Sequence, residues 1–393
     1  MSPQPNEDLQ PHTGQLPPLS LYVHIPWCVR KCPYCDFNSH AAPEQLPEAA
    51  YVDALLEDLT ADLPLAGSRP LQSIFIGGGT PSLFSAGAIN RLLQGIRDRI
   101  ELVADAEITL EANPGTFERE RFEAYRAAGI NRLSIGVQSF NAEHLKQLGR
   151  IHNPDEALRA AEAAVAIFPR VNLDLMHGLP GQTVEQALSD LQQALAFDPG
   201  HLSWYQLTIE PNTEFHTRPP RLPLDEALWE IQEQGQALLD AQGYAQYEIS
   251  AYARPGQQAR HNLNYWQFGD YLGIGAGAHG KISYLDTQGV LQIERRHKMR
   301  QPKGYLAPER RLAGQQRIPL DERPFEFMMN ALRLTSGTET DLFQERTGVN
   351  FADIVPILKK AQQLELLDCS STRLAPTRQG RLFLNDLLAL FLD

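Results

Sequence analysis

The sequence predicts an α/β protein: a (β/α) barrel, full or partial, followed by a mainly helical C-terminal module. Three observations carry this. From Leu19 to about Ser250, short apolar or β-branched runs alternate with helix-like stretches, which implies parallel strands joined by right-handed crossovers. Polar residues recur where five consecutive strands should end, the place where this architecture builds its sites. Beyond Ser250 the rhythm breaks. From Asp321 the chain reads as helices with a short hairpin near Leu366–Leu374, in the order of a winged helix. A doubly wound open sheet is the structural alternative for the alternating part.

The elements follow in order. Residues 1–18 hold five prolines with Glu7 and Asp8 among them and read as a disordered tail, with neither a secretory nor a transit pattern. Strands are expected at Leu21–Ile25, Ser73–Ile76, Glu107–Leu110, Arg132–Val137, Val171–Leu175, Leu202–Thr208 and Glu248–Tyr252. Between them, Val52, Leu55, Leu56, Leu59 and Leu63 share one helical face. Asn153-Pro154-Asp155-Glu156 and Thr183/Gln186 have the spacing of capping boxes. The barrel thus spans 19–252. A connecting segment, 253–310, carries His261-Asn262-Leu263-Asn264-Tyr265-Trp266 and a basic stretch from Arg295 to Lys303. The helical module spans 311–393.

Composition bounds the function. At roughly 150 residues per domain, 393 residues make two or three domains. With 35 Lys+Arg against 48 Asp+Glu, the net charge of −13 argues against a nucleic-acid partner. From Asp321 to Asp393 there are 8 basic against 11 acidic residues, and this stretch does not read as a DNA reader either. Apolar runs such as Ala163–Phe168 fall far short of the roughly 18 residues of a membrane span. A cytoplasmic setting is expected, where cysteines bind metals or do chemistry more often than they form disulfides.

Three of the four cysteines, Cys28, Cys32 and Cys35, form C-x3-C-x2-C directly after the first strand; Cys369 is remote. Three thiolates can hold three irons of a [4Fe-4S] cluster and leave the fourth open, whereas electron-transfer ferredoxins use four cysteines per cluster. An open iron can take S-adenosylmethionine (SAM). Zinc bound by the three cysteines with His24 or His40 is the competing reading, and three buried free thiols are a third.

The run Leu21-Tyr22-Val23-His24-Ile25-Pro26-Trp27-Cys28 through Cys35-Asp36-Phe37 closely resembles the radical SAM superfamily. More narrowly it is similar to the branch that contains oxygen-independent coproporphyrinogen oxidase and the heme chaperone (HemW) group. The resemblance extends through Gly77–Pro81, Glu111, Gly136–Phe140, Asp174–Pro180 and His261–Trp266. It implies a partial barrel of the radical SAM type. It also implies cluster ligation by Cys28, Cys32 and Cys35, with Tyr22 against SAM near the cluster. Gly78, Gly79 and Thr80 would lie at the methionine part, and Glu111 at ribose hydroxyls or the amino group. Gln138, Arg150 and Asp174 match polar positions around the nucleotide or a second ligand. Arg150 has a second reading as a helix C-terminal cation, and Asp174 as a structural acid.

Within that branch the oxidase typically carries a further cysteine two residues after the third. Here that place is Phe37. The His261–Trp266 segment resembles the H-N-x-x-x-W signature of the heme-chaperone group. The expectation is therefore a protein that binds heme and passes it to acceptor hemoproteins, membrane-bound respiratory ones included, and that lacks oxidase activity. Decarboxylation of coproporphyrinogen III is the alternative. His261 would ligate heme iron, with His279 as the rival. Tyr265 and Trp266 would pack on the macrocycle, and the Arg295–Lys303 stretch would meet its propionates or an acidic acceptor.

Overall fold

The computed structural model describes residues 14–115 and 118–392. Six parallel strands stand side by side in chain order: β1 (Leu19–Ile25), β2 (Leu71–Gly78), β3 (Leu102–Ala112), β4 (Arg132–Gln138), β5 (Arg170–His177) and β6 (Gly200–Gln206). Helices α1 (Glu48–Ala66), α2 (Ala86–Arg97), α3 (Glu118–Ala128), α4 (Pro154–Ile167), α5 (Val184–Leu195) and α6 (Asp225–Ala241) follow the strands in turn. The two-residue period of β1 explains the layering. Leu19, Leu21, Val23 and Ile25 join the main apolar core, while Ser20, Tyr22 and His24 face the lumen. Both expected capping boxes form, at Asn153/Glu156 and Thr183/Gln186. Each ties two helix-end amides that would otherwise lack partners.

The edges differ from the expected rhythm. The run Glu248–Tyr252 is not one strand. It turns at Ile249-Ser250, where the Glu248 carboxylate accepts the Ser250 amide at 3.2 Å. The result is the antiparallel pair β7 (Ala245–Glu248) and β8 (Ala251–Ala253) beyond β6. At the other edge, segment 253–310 is more than a connection. Its short helix α7 (Arg260–Trp266) packs on the inner side of β1 and β2. Strand β9 (Asp270–Ile274) then pairs parallel to β1, Leu21 opposite Leu272. Strands β10 (His279–Leu285), β11 (Leu291–Lys298) and β12 (Leu312–Arg317) continue antiparallel. The sheet has twelve strands among the described residues and is open, a partial barrel.

The C-terminal module is helical: α8 (Arg323–Ala331), α9 (Thr340–Thr347) and α10 (Phe351–Gln363), then a hairpin of Leu367–Cys369 with Arg373–Pro376, edged by Thr338–Glu339. Phe327, Phe343, Leu358 and Leu374 share a second core with Leu291 and Ile293 of β11, so the module is anchored on the sheet extension. Of the segment expected as a tail, residues 1–13 lie outside the described residues. Leu16 packs on this second core, and the Pro17 and Pro18 carbonyls accept from Arg69 and the Asp270 amide.

Candidate functional site

The cysteine loop leaves the C-terminal end of β1. A two-residue parallel ladder, Trp27–Cys28 against His40–Ala41, pins both of its ends. A turn from the Cys32 carbonyl to the Cys35 amide, 3.1 Å, shapes its middle. Cys28 is buried; Cys32 and Cys35 are half-buried. Burial pushes the Cys28 and Cys35 thiols up, opposed at Cys28 by the Thr80 and Ser39 side chains. A bound cation reverses that preference and releases the thiol protons. Arg150 Nη1 donates toward Cys32 Sγ at 3.6 Å, while its Nη2 holds Asn113 Oδ1 at 2.6 Å and the Gly136 carbonyl at 2.7 Å. Among the described residues no three His, Cys, Asp or Glu side chains converge closely enough to hold a single metal ion. The donor set itself, three thiols on one pinned loop beside a fixed guanidinium, fits an iron–sulfur cluster. Of the two histidines of the zinc alternative, His40 has its Nε2 3.3 Å from the Arg300 carbonyl. Both His24 nitrogens are engaged, by Tyr22 Oη and by the Asn38 carbonyl, each at 2.8 Å.

The end of β2 runs beneath this loop. A β-carbon on Gly79 would come within 2.5 Å of the Trp27 carbonyl oxygen, and one on Gly78, at φ 120°, within 2.7 Å of the His24 ring. Glycine is thus required for the close approach. Thr80 donates its amide to the Trp27 carbonyl and accepts from Asn113 Nδ2 at 3.1 Å. Next to it, Glu111 Oε2 accepts the Gly78 amide at 3.1 Å. Burial, and then the nearby Asp174, raise the Glu111 pKa to about 8. Asp174 is held by Ser134 and Asn172 at 3.1 and 2.8 Å, and burial raises its pKa too. Gln138 ends β4 with φ 69°, a left-handed conformation costly for a side-chain-bearing residue. Tyr205 Oη donates to its Oε1 at 2.9 Å.

The structure therefore gathers Cys32, Thr80 and Arg150 into one hydrogen-bonded group through Asn113, with Glu111 and Asp174 beside it in the lumen. Asn113 bridges the strand ends here. It follows β3 directly in sequence, but only the fold shows what it joins.

His261 sits elsewhere. On α7 its ring stacks on Phe75, centroids 4.8 Å apart, with Tyr22 and Tyr265 closing the sides. It is 2% exposed, Nδ1 pairs with Ser73 Oγ at 3.3 Å, and burial drives its pKa down to about 3. The ring is buried in this structure, and its Nε2 has no hydrogen-bond partner among the described residues. The motif's Tyr265 and Trp266 line a cavity of about 220 Å³ on the sheet extension. Of the basic stretch expected to meet heme propionates or an acidic acceptor, three side chains are paired within the chain. Arg295 pairs with Glu326, Arg296 with Asp62 and Glu294, and Lys298 is buried between Asp58 and Asp62 at 2.6 and 2.7 Å. Asp58 and Asp62 lie on α1 and Glu326 on α8, while Glu294 is on β11 itself.

A parallel partial barrel that opens with three cysteines on the loop after its first strand defines the radical SAM class. The description "Radical SAM superfamily" matches residues 22–194, and "HemN C-terminal domain" matches residues 318–383. The chain is 56% identical over 380 residues to the heme chaperone HemW of Escherichia coli, covering 96% of this chain and 99% of that one. It is 35% identical over 380 residues to the protein of that name from Bacillus subtilis, with 95% and 99% coverage. Among solved structures it is similar to the coproporphyrinogen III oxidase HemN of Escherichia coli, with TM-score 0.79, 26% identity, and 96% and 90% coverage. The chain belongs to the HemW family of radical SAM proteins.

Proposed function

We propose that this protein binds heme and delivers it to acceptor hemoproteins of the cytoplasm and its membrane. It would carry a [4Fe-4S] cluster on Cys28, Cys32 and Cys35 and bind SAM at the barrel mouth. The observation that carries this reading is the near full-length identity with proteins named heme chaperones. Among the described residues no helix is long and apolar enough to cross a membrane, so membrane acceptors would be reached by docking.

The site residues support the cofactor part. The Gly78–Gly79 backbone gives SAM's charged end close access to amides and carbonyls. Glu111, ionised by a cationic or hydroxyl-bearing partner, would hold the ribose or amino group. Arg150 would balance charge at the cluster loop. When bound, the cluster supplies one electron for cleavage of the SAM sulfonium.

The second reading, oxidative decarboxylation of coproporphyrinogen III, draws on the likeness to HemN. Phe37 speaks against it: the place that resemblance gives to a further cysteine holds an aromatic side chain, 64% exposed. Heme titration and a coproporphyrinogen III assay with reductant and SAM, run on one anaerobic sample, separate the two. Saturable heme binding without turnover is expected. Robust turnover would establish the oxidase reading instead.

A further inference from the structure

The cysteine loop meets the lumen through Trp27, whose carbonyl accepts the Thr80 amide and closes over Gly79. Away from that contact the loop is open to solvent at Val29 and Phe37, 59% and 64% exposed. Ile151, 61% exposed, stands directly after Arg150, whose guanidinium lies 3.6 Å from Cys32 Sγ. The turn that carries it packs on the loop, because a β-carbon on Gly149 would come within 2.7 Å of Pro33 Cδ. Single exposed apolar side chains are ordinary, but three gathered around one loop mark a contact surface.

A groove flanks the loop on each side. One, of about 450 Å³, is lined by Lys31, Phe37 and Arg300; the other, of about 330 Å³, by Arg30, Lys146 and Arg150. Arg30, Lys31, Lys146 and Arg300 are exposed, and none of the four forms an ion pair among the described residues. Lys31 Nζ donates to the Phe37 carbonyl at 3.1 Å, which leaves its charge uncompensated. On the same segments the acids are Asp36 and Glu143. The whole chain carries −13, so this rim reverses the sign of the field locally.

We propose, on the basis of the cluster reading above, that this rim is the docking site of an acidic one-electron carrier protein. The cations in the two grooves steer and orient its anionic patch, and Val29, Phe37 and Ile151 form the dry centre of the contact. Phe37 thereby acquires a role, as flat apolar area with few rotatable bonds. Cys32 and Cys35 are half-buried, so the carrier meets the cluster-holding loop directly. One electron leaves the reduced carrier and enters the cluster. The carrier is oxidised by one, the cluster is reduced by one, and no covalent bond of the chain is made or broken.

The test uses the full-length protein with its cluster reconstituted anaerobically, and a reduced, acidic plant-type [2Fe-2S] ferredoxin as probe. Stopped-flow absorbance reads the second-order rate of cluster reduction, and calorimetry with oxidised ferredoxin reads affinity. The double variant Lys146→Glu/Arg300→Glu changes one cation in each groove and leaves the cysteine loop alone. It should lower the rate constant roughly tenfold at low salt and remove the steep salt dependence of the wild type. Phe37→Ala should weaken affinity roughly tenfold, through faster dissociation. Photoreduced deazaflavin, a small reductant that needs no docking site, should reduce all three proteins at one rate. Absence of saturable ferredoxin binding by the wild type, or equal ferredoxin rates and affinities in wild type and double variant, would overturn the site. So would a deazaflavin rate that falls in parallel, or a loss confined to binding of anionic phospholipid vesicles. A wild-type protein that retains no iron and sulfide would instead overturn the cluster reading on which the site rests.

Discussion

Arg150 reaches Cys32 across 118 positions of chain, one guanidinium nitrogen 3.6 Å from the sulfur and another on Asn113 and the Gly136 carbonyl. The fork is what makes the contact fixed. Two of its bonds go to strand ends, so the third is aimed. Lysine, a point charge on a flexible stem, cannot reproduce that aim.

A cation held at a cluster sulfur favours an added electron, since net charge and hydrogen bonds to sulfur set cluster potentials. Arg150→Met should lower the reduction potential of the reconstituted cluster, on the order of tens of millivolts, and reduce iron and sulfide retained per chain. Arg150→Lys should fall between the two. Potentiometry followed by EPR reads the shift. Equal potentials in all three proteins would show that the guanidinium only packs.

Glu111 gives a pH prediction. Its pKa is raised to about 8 in the folded protein, against about 4.3 in an unfolded chain. Between those values the folded state holds the extra proton, so its contribution to stability is full below about pH 4 and is lost as pH rises through 8. Glu111→Gln removes that loss. Without ligand, the variant should melt higher than wild type at pH 8.5, with the difference shrinking toward pH 5. SAM affinity should fall in the same variant, because the ionised acceptor is gone. A melting difference independent of pH would mean that Glu111 does not titrate in this range.

Local features were legible in the sequence; long-range pairings were not. The capping boxes at Asn153 and Thr183 depend on residues three apart, and they form as read. The cysteine loop is contiguous, so its thiol spacing was legible, while the choice of cluster over zinc rested on the resemblance of the surrounding run. Strand β9 was hidden because Gly273 and Gly275 weaken the strand pattern and its partner β1 lies some 250 residues earlier. The partners of Lys298 in the basic stretch were hidden because Asp58 and Asp62 lie on α1. His261 and His279 both stand in aromatic, glycine-rich sequence. Only the crossing of α7 beneath Phe75 buries one and leaves the other open.

Gly79 separates a backbone requirement from mere helix or loop propensity. A methyl group there meets the Trp27 carbonyl, a backbone atom that no rotamer change can move aside. Gly79→Ala should cost about 1–3 kcal/mol and abolish SAM binding by displacing the Cys28 strand. Gly87 of α2 is the control: its added β-carbon meets nothing closer than Ser85 Oγ at 3.9 Å. Gly87→Ala should be neutral or stabilising by up to ~1 kcal/mol. Urea midpoints at unchanged m give both values. Equal midpoints for the two variants would remove the steric argument.

Lys298 joins α1 to the sheet extension. The residue is 2% exposed, its ammonium lies between Asp58 and Asp62, and Tyr305 Oη completes the group by donating to Asp58 at 2.7 Å. Removing the cation leaves two buried carboxylates with only the Tyr305 hydroxyl on Asp58 and the longer Arg296 contact, 3.4 Å, on Asp62. Lys298→Met should therefore destabilise by about 3–5 kcal/mol, with little dependence on salt. The exposed pair Arg254–Asp198 is 2.6 Å apart with side chains 41% and 62% open to solvent. Water and salt screen it, so Arg254→Met should cost no more than ~1 kcal/mol. Burial, not distance, decides between them. Urea unfolding of both variants at low and high salt measures the contrast. A Lys298→Met loss as small as that of Arg254→Met would mean that the two carboxylates are neutralised by protonation instead.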